Sequence, residues 1–232
     1  MSDLWLDLFE TNKLRYVHAN PKRGRFIEKY FLGKYEISEV GNSSFLELGA
    51  FSAKDSIYLK GVFPEATFYL SDLSPEILKS TETIDSFAAD VFSLPLRNDA
   101  VDISFHSGLI ILFNNQDVKR VIDSQNRVTR KYSFVFGLNK FNFVDHIMSF
   151  YKYKIKGDEL FRYRRFTKSE LYDMAKTSDV VSVEAFYHDN MVENFSRRHD
   201  FFLLKVIAKL FIFKLPFFYN EVVLVMKKKC VG

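Results

Sequence analysis

The stretch SFLELGAFSA, residues 44–53, decides the fold of this chain. Ser44–Leu48 is short and mostly apolar, which is typical of a buried strand, and Gly49 then marks a turn. Six later segments have a similar character, and we predict them as strands: Thr67–Leu70, Ser86–Ala89, Ala100–Phe105, Ser133–Leu138, Val180–Tyr187 and Glu221–Lys227. Apolar strands of this kind indicate a sheet that is covered on both faces.

Helices are predicted between these strands. Pro75 follows Ser74 at a first helical position, and Thr167 with Glu170 forms a capping-box pattern. This capping box begins the predicted helix Lys168–Thr177. The remaining predicted helices are Leu4–Val17, Arg25–Tyr35, Ala53–Val62 and Asp117–Val128. The alternation predicts an α/β protein with a Rossmann-like, mostly parallel, seven-stranded sheet and helices on both faces.

Length and composition restrict the class of protein further. A chain of 232 residues with 47% hydrophobic and 27% charged residues fits one globular domain and excludes a disordered or fibrous chain. The net charge of +4 permits nucleic acid as a partner but does not demand it. Cys230 is the single cysteine, which excludes an intramolecular disulfide and a cysteine-rich zinc site. We expect no metal site, and the lack of a secretory signal predicts a cytoplasmic protein.

Small and acidic residues follow the first strands at their carboxyl ends, where parallel sheets bind ligands. Glu47 and Gly49 close the first strand, Asp72 ends the second and Asp90 ends the third. In this order the residues resemble class I S-adenosylmethionine-dependent methyltransferases, in the branch similar to small-molecule methyltransferases of type 11. The resemblance covers roughly residues 44–187.

The resemblance implies a role for each position. Gly49 allows close approach of the methionine part of S-adenosylmethionine, Asp72 accepts from the ribose hydroxyls, and Asp90 accepts from the adenine amino group. Leu73 and Val91 flank the adenine ring. Simpler roles remain open, namely a helix N-cap for Asp72 and a turn residue at Asp90. The full set expected to bind the cofactor is Glu47, Gly49, Ala50, Phe51, Asp72, Leu73, Asp90, Val91 and His106.

The sequence departs from the family pattern at two places. The Gly-x-Gly-x-Gly pattern keeps only Gly49, because Phe51 and Ala53 stand where the later glycines are usual. The Glu-His pair that is frequent after the fourth strand is replaced within Ile110–Phe113. Two functions therefore stay open: an active methyltransferase, and a catalytically weak or inactive binding or assembly protein with the same fold.

An oxygen or nitrogen acceptor needs a group that manages its proton. His106, at the end of the fourth strand, is the predicted general base and His146 is the second choice, while a purely structural role for His106 stays open. The segment Phe141–Phe166 is basic and aromatic, which suits an anionic or aromatic acceptor and, through charge and stacking, single-stranded nucleic acid. A solvated charged face over an aromatic core also stays open for this segment, and a small-molecule, sugar or lipid-linked acceptor is the preferred one. An RNA methyltransferase is the further alternative. We do not expect nucleic acid, because the Asp/Asn-Pro-Pro-Tyr/Phe motif of amino-directed DNA methyltransferases is absent and no separate RNA-binding module is visible.

We predict one domain, residues 1–232, without a linker. Its expected parts are a helical lid at 1–42, a cofactor-binding core at 43–140, and an acceptor side with the last strands at 141–232, including an apolar helical insertion near 196–215. Lysines and Pro216 interrupt the apolar stretch Phe201–Tyr219, so it is not expected to span a membrane. Three interpretations stay open for that stretch: an edge helix, a peripheral membrane contact or a homodimer contact.

Overall fold

The computed structural model describes residues 20–34, 40–79, 81, 83–158, 161–176, 180–194 and 214–229. The predicted helix Leu4–Val17 and most of the stretch 201–219 lie outside the described residues. Within the described part, the strands are β1 (Ser44–Leu48), β2 (Thr67–Asp72), β3 (Asp85–Ala88), β4 (Val101–His106), β5 (Thr129–Leu138), β6 (Val180–Asn190) and β7 (Tyr219–Lys228).

The helices whose bounds are given within the described part are α1 (Lys22–Leu32), α2 (Lys54–Val62), α3 (Pro75–Leu78), α4 (Asn115–Val128), α5 (Phe143–Phe150) and α6 (Lys168–Met174). A π-helical turn, Tyr151–Ile155, continues α5 directly, and short 3₁₀ turns occur at Val91–Ser93, Leu109–Leu112 and Pro216–Phe218. The helix after Ser74 is a single turn, and β5 begins four residues earlier than the sequence predicts.

The strands form one sheet in the order β3-β2-β1-β4-β5-β7-β6. Neighbouring strands from β3 through to β5 are parallel, whereas β7 runs antiparallel to both β5 and β6. The predicted α/β fold with a mostly parallel seven-stranded sheet is confirmed, with an antiparallel pair at one edge. The strand order reverses between β1 and β4, and a parallel sheet opens a crevice at such a point.

Aromatic side chains fill one face of the sheet, beneath α1 and α2. Phe31 of α1, Phe45 of β1 and Phe105 of β4 are almost completely buried there, together with Phe134 and Phe136 of β5. Valine and leucine side chains on the opposite face pack against α4 and α6. Several of the 26 phenylalanines of the chain are therefore core residues.

Helix α1 belongs to the region 1–42 that was predicted as a lid. It packs on the sheet as part of the core. Ile27 and Phe31 are buried against the sheet, and the Gly24 N–H donates to Asp55 Oδ1 of α2 at 2.9 Å. A Cβ on Gly24 would lie 3.0 Å from the Asp55 carbonyl oxygen, so only glycine allows this approach of α1 to α2. The packing sets Arg23 at the carboxyl edge of the sheet.

Candidate cofactor and acceptor site

A cavity of about 430 Å³ lies at the carboxyl ends of β1, β2, β3 and β4. This volume is in the range of small-molecule and cofactor sites. The structure brings together most of the predicted cofactor-binding residues in its wall: Glu47, Gly49, Ala50, Phe51, Asp72, Leu73, Asp90 and Val91. Phe51 is part of the wall, and a cavity of this volume remains open beside it.

The loop after β1 has the backbone of a glycine-rich turn. Gly49, Phe51 and Ala53 adopt φ values of 60°, 44° and 49°, all in the left-handed region. A Cβ on Gly49 would also lie 3.1 Å from Leu109 Cδ1. Phe51 and Ala53, at the second and third positions of the glycine pattern, therefore adopt a backbone conformation that favours glycine. Because both residues carry a Cβ, this conformation strains the backbone.

Asp72 joins two of the loops that surround the cavity. Its Oδ2 accepts from the Phe51 N–H at 3.1 Å, and its Oδ1 accepts from the Ser74 N–H at 3.1 Å. The N-cap of α3 is Ser74, which accepts from the Ile77 N–H, so the interpretation of Asp72 as the helix cap is wrong. An ionised carboxylate offers about four acceptor positions, so capacity for ligand hydroxyls remains.

Asp90 lies exposed at the rim of the same cavity. Its Oδ1 accepts from the Phe92 N–H at 2.9 Å and caps the 3₁₀ turn that follows β3. The turn role considered from the sequence is therefore present. The second carboxylate oxygen remains as an acceptor for a polar group of a ligand.

Apolar side chains form the wall between these acids. Leu73, which is 62% exposed, follows β2 and lines one side of the cavity. Val91 and Phe92 follow β3 and also line it. The ring of Phe92 meets Phe113 edge to face, with 5.0 Å between the ring centroids. A planar heterocycle suits this wall, because its faces are apolar and its edge carries donors for Asp90.

Two carboxyl groups meet at the inner end of the cavity. Glu47 Oε2 accepts from Ser56 Oγ at 2.6 Å, while Ser107 Oγ lies 3.2 Å from Glu47 Oε1 and 3.1 Å from Asp55 Oδ2. Burial, with the negative charge of Asp55 beside it, raises the pKa of Glu47 to about 8. Burial beside Asp55 therefore favours the protonated form of Glu47, and a cation placed here would favour its ionised form.

Two cationic side chains line the same end of the cavity. Arg23 Nη2 contacts Glu221 Oε1 at 2.5 Å, and the buried Arg23 Nε has no hydrogen-bond partner in the part of the chain that the structure describes. Burial lowers the pKa of Lys54, which is also part of the wall. Together these groups can hold an anionic group such as a carboxylate.

Neither histidine considered as a general base lines the cavity. His106 is fully buried, and burial lowers its pKa to about 3. Its side chain shares a sheet face with Leu48 and Val135, and neither ring nitrogen forms a hydrogen bond to any described residue. His146 is exposed on α5, and its Nε2 lies 2.7 Å from the Lys140 carbonyl oxygen. These positions argue against both residues as the group that accepts the proton.

Sequence reasoning did not assign several cavity residues. Arg23, Lys54, Asp55 and Ser107 line the cavity but carry no motif of their own. One signal was available: Asp55 and Ser107 lie close to residues of the predicted pattern, on the helix after β1 and in the turn after β4.

Two further kinds of site, a metal centre and a membrane-spanning helix, are absent from the described ranges. No group of three or more His, Cys, Asp or Glu side chains there is arranged to hold a metal ion. No helix there is both long and apolar enough to cross a membrane.

Sequence comparison finds no matching family model and no matching curated protein. Solved structures do match. A SAM-dependent methyltransferase from Archaeoglobus fulgidus has 11% identity and a TM-score of 0.60, over 88% of this chain and 98% of that chain. A SAM-dependent methyltransferase from Thermotoga maritima, described as a possible histamine N-methyltransferase, has 15% identity and a TM-score of 0.57, over 96% and 99%.

A third structure, the YcgJ protein of Bacillus subtilis, has 13% identity and a TM-score of 0.51, over 84% of this chain and 97% of that chain. The chain therefore has the fold of class I SAM-dependent methyltransferases. Identities of this size show the fold alone, so the activity has to be argued from the site.

Proposed function

We propose that this protein binds S-adenosylmethionine in the cavity and transfers its methyl group to a small acceptor. The observation that carries the proposal is the joint placement of Asp72 and Asp90 on one cavity, after neighbouring strands, beside the left-handed loop at Gly49. A nucleoside fits this arrangement, with its sugar at Asp72 and its base between the acid at the rim and the apolar wall.

The charged inner end suits the methionine part of the cofactor. Its ammonium group would meet Glu47 and Asp55, and its carboxylate would meet Arg23 and Lys54. Each of these side chains is buried or half-buried, so its charge has lost much of its hydration. The oppositely charged groups of the cofactor would compensate this loss. The residues present therefore fit the cofactor.

Bound S-adenosylmethionine supplies an electrophilic methyl group, and the protein then has to position the acceptor and exclude water. Ile111, Leu112 and Phe113 form an apolar wall on the side where β4 ends. We propose a small-molecule, sugar or lipid-linked acceptor that attacks through oxygen or nitrogen. Positioning by this wall, and not proton abstraction by His106, is the contribution that we assign to the chain.

Calorimetry with S-adenosylhomocysteine tests the proposal. We expect the wild-type protein to bind, and Asp72→Ala to weaken binding by about tenfold to a hundredfold, because charge-assisted hydrogen bonds to the ribose are lost. Asp72→Asn keeps the shape of the side chain and should also weaken binding. Asp85→Ala, an exposed acid at the opposite end of β3, is the matched control and should bind as the wild type does.

Circular dichroism and urea denaturation establish that each variant is folded. A folded wild-type protein that gives no heat with S-adenosylhomocysteine would refute the proposal and favour the binding or assembly protein. Binding that Asp72→Ala leaves unchanged would refute the assignment of the ribose site. Transfer of a radiolabelled methyl group to a metabolite extract then separates an active enzyme from an inactive one.

A further inference from the structure

Helix α5 has its polar side towards the protein and its apolar side towards solvent, the reverse of the usual arrangement. Helix α5 buries Ser149, whereas its apolar side chains face solvent: Phe143 is 66% exposed, Ile147 52% and Phe150 63%. Ile155, in the π-helical turn that follows, is 66% exposed. We call the outer side of residues 141–156 the apolar–lysine surface. A contiguous apolar patch of this kind marks an interaction site.

Polar contacts on the inner side hold α5 in this orientation. Arg165 Nε donates to Asp145 Oδ2 at 2.6 Å, and Arg165 Nη2 donates to Ser149 Oγ at 2.6 Å. The Tyr163 hydroxyl donates to Asp145 Oδ1 at 2.9 Å. Because the inner side satisfies these polar groups, rotating the helix to bury its phenylalanines would leave them without partners.

Lysines accompany the apolar side chains. Lys152 lies over the Phe161 ring at 4.0 Å, Lys154 over Tyr153 at 4.8 Å, and Lys156 over the ring of Tyr151 at 5.5 Å. None of the three forms an ion pair with a carboxylate of the described residues. The apolar–lysine surface is therefore both hydrophobic and positively charged.

We propose that the apolar–lysine surface docks on an anionic lipid bilayer. Phenylalanine, isoleucine and methionine side chains enter the boundary between headgroups and acyl chains, while the lysines reach anionic headgroups. A second copy of the chain is a poorer partner, because symmetric pairing of this surface would bring its lysines together. Single-stranded nucleic acid is also poorer, since aliphatic Ile147, Met148 and Ile155 give no base stacking.

A neighbouring turn extends the surface. Asn139 Nδ2 donates to the Pro216 carbonyl at 2.7 Å, and Asn142 Nδ2 donates to Asn220 Oδ1 at 2.7 Å. These bonds fix the turn Pro216–Phe218, where Phe217 is 41% exposed, next to the beginning of α5. Of the stretch 201–219, for which a membrane contact was considered, the described residues Pro216–Phe218 therefore lie next to the surface that we propose.

The surface is also linked to the wall of the cavity. The Arg164 N–H donates to the carbonyl of Ile111, a cavity residue, at 2.9 Å. The next residue, Arg165, holds α5 as described above. Docking would therefore bring the apolar side of the cavity close to the bilayer, but the docking itself does not depend on the cofactor.

Flotation with vesicles tests the docking. The vesicles contain phosphatidylcholine with about 30% phosphatidylserine, or phosphatidylcholine alone. We expect the full-length protein to float with the anionic vesicles, less with the neutral ones, and to be released by salt. Phe143→Ser/Phe150→Ser and, separately, Lys154→Gln/Lys156→Gln should each reduce binding by about tenfold or more.

Matched controls are Val181→Ser, a 57% exposed apolar residue on β6, and Lys119→Gln, an exposed lysine on α4. Both should bind as the wild type does. Binding of S-adenosylhomocysteine by each surface variant, and its unfolding by urea, show that the fold and the cavity are intact. Loss of vesicle binding with the cavity intact therefore concerns this surface alone.

Three results would overturn the docking proposal. The first is folded wild-type protein that stays with neither kind of vesicle. The second is a dimer, seen by analytical ultracentrifugation, that Phe143→Ser/Phe150→Ser dissociates while vesicle binding is unchanged. The third is retention of single-stranded RNA that depends on the lysines, with no flotation.

Discussion

At the scale of single residues, the loop after β1 reproduces a glycine-rich backbone with two residues that carry side chains. Phe51 and Ala53 have left-handed φ values, which cost a residue with a Cβ roughly 1 kcal/mol relative to glycine. The bond from the Phe51 N–H to Asp72 Oδ2 helps to hold this conformation. The strain lies beside the proposed cofactor, where strained backbone is most often found.

A pair of variants isolates this strain. Phe51→Gly and Phe51→Ala both remove the ring, so their difference reports the backbone. We expect Phe51→Gly to be more stable than Phe51→Ala by about 1 kcal/mol in urea denaturation. At Ile57, an exposed position within α2, the same pair should have the opposite sign, with alanine more stable by about 1 kcal/mol. If the glycine and alanine variants had the same order of stability at both positions, backbone strain at Phe51 would be contradicted.

The residues of the site were predictable where local pattern determines them. Gly49, Asp72 and Asp90 each follow a short apolar strand, and parallel strands bring their carboxyl ends to one edge. The orientation of His106 was not predictable, because whether a strand-end side chain faces the cavity or the core depends on how the neighbouring strands pair. The contact of Arg23 with Glu221 joins residues 198 positions apart, and no local pattern encodes such a distance.

At the scale of elements, ion pairs attach α1 to the far edge of the sheet. Arg23 pairs with Glu221 of β7, and Lys22 Nζ lies 2.7 Å from Asp189 Oδ2 at the end of β6. The Glu221 side chain is only 8% exposed, and its Oε2 has no hydrogen bond to any other described residue. Removing one partner would therefore strand a buried charge.

A double-mutant cycle measures this attachment. Arg23→Met or Glu221→Leu alone should reduce the free energy of unfolding by about 3–5 kcal/mol, because each removes the hydrogen-bonded ion-pair partner of a largely buried charge. The double variant should lose clearly less than the sum of the two. Lys34 and Glu184 form an exposed pair at 2.6 Å, and removing it should change stability by about 1 kcal/mol or less. A small, additive effect at Arg23 and Glu221 would show that the buried pair does not hold α1.

The order and type of the elements followed from the sequence more closely than their ends. β1 matched its predicted bounds, because Gly49 ends it. β5 begins at Thr129, where polar residues gave no strand signal, because pairing with β4 and β7 supplies the hydrogen bonds. Helix α5 was not predicted from the sequence, and the contacts of Arg165 with Asp145 and Ser149, which hold its apolar side outward, join residues 20 and 16 positions apart.

At the scale of the whole molecule, two buried groups give stability opposite dependences on pH. The pKa of Glu47 is raised from 4.5 to about 8, so the native state keeps a proton that the unfolded chain releases as the pH rises above 4.5. Stability therefore falls as the pH rises from 4.5 towards 8. The pKa of His106 is lowered from 6.5 to about 3, so below pH 6.5 only the unfolded chain takes up the proton, and stability falls as the pH decreases towards 3.

Glu47→Gln and His106→Leu separate these two contributions. Glu47→Gln should flatten the decrease in the free energy of unfolding between pH 4.5 and about 8, because the titrating group is gone. His106→Leu should leave stability near pH 7 unchanged or higher, since it replaces a buried polar ring that has no described partner, and should flatten the decrease below pH 6.5. Urea denaturation of the three proteins across this pH range makes the measurement. Below pH 6.5, the free energy of unfolding of His106→Leu could instead fall in parallel with that of the wild type. Such a result would mean that His106 gains a proton in the native state, and it would contradict the burial of His106 as a neutral ring.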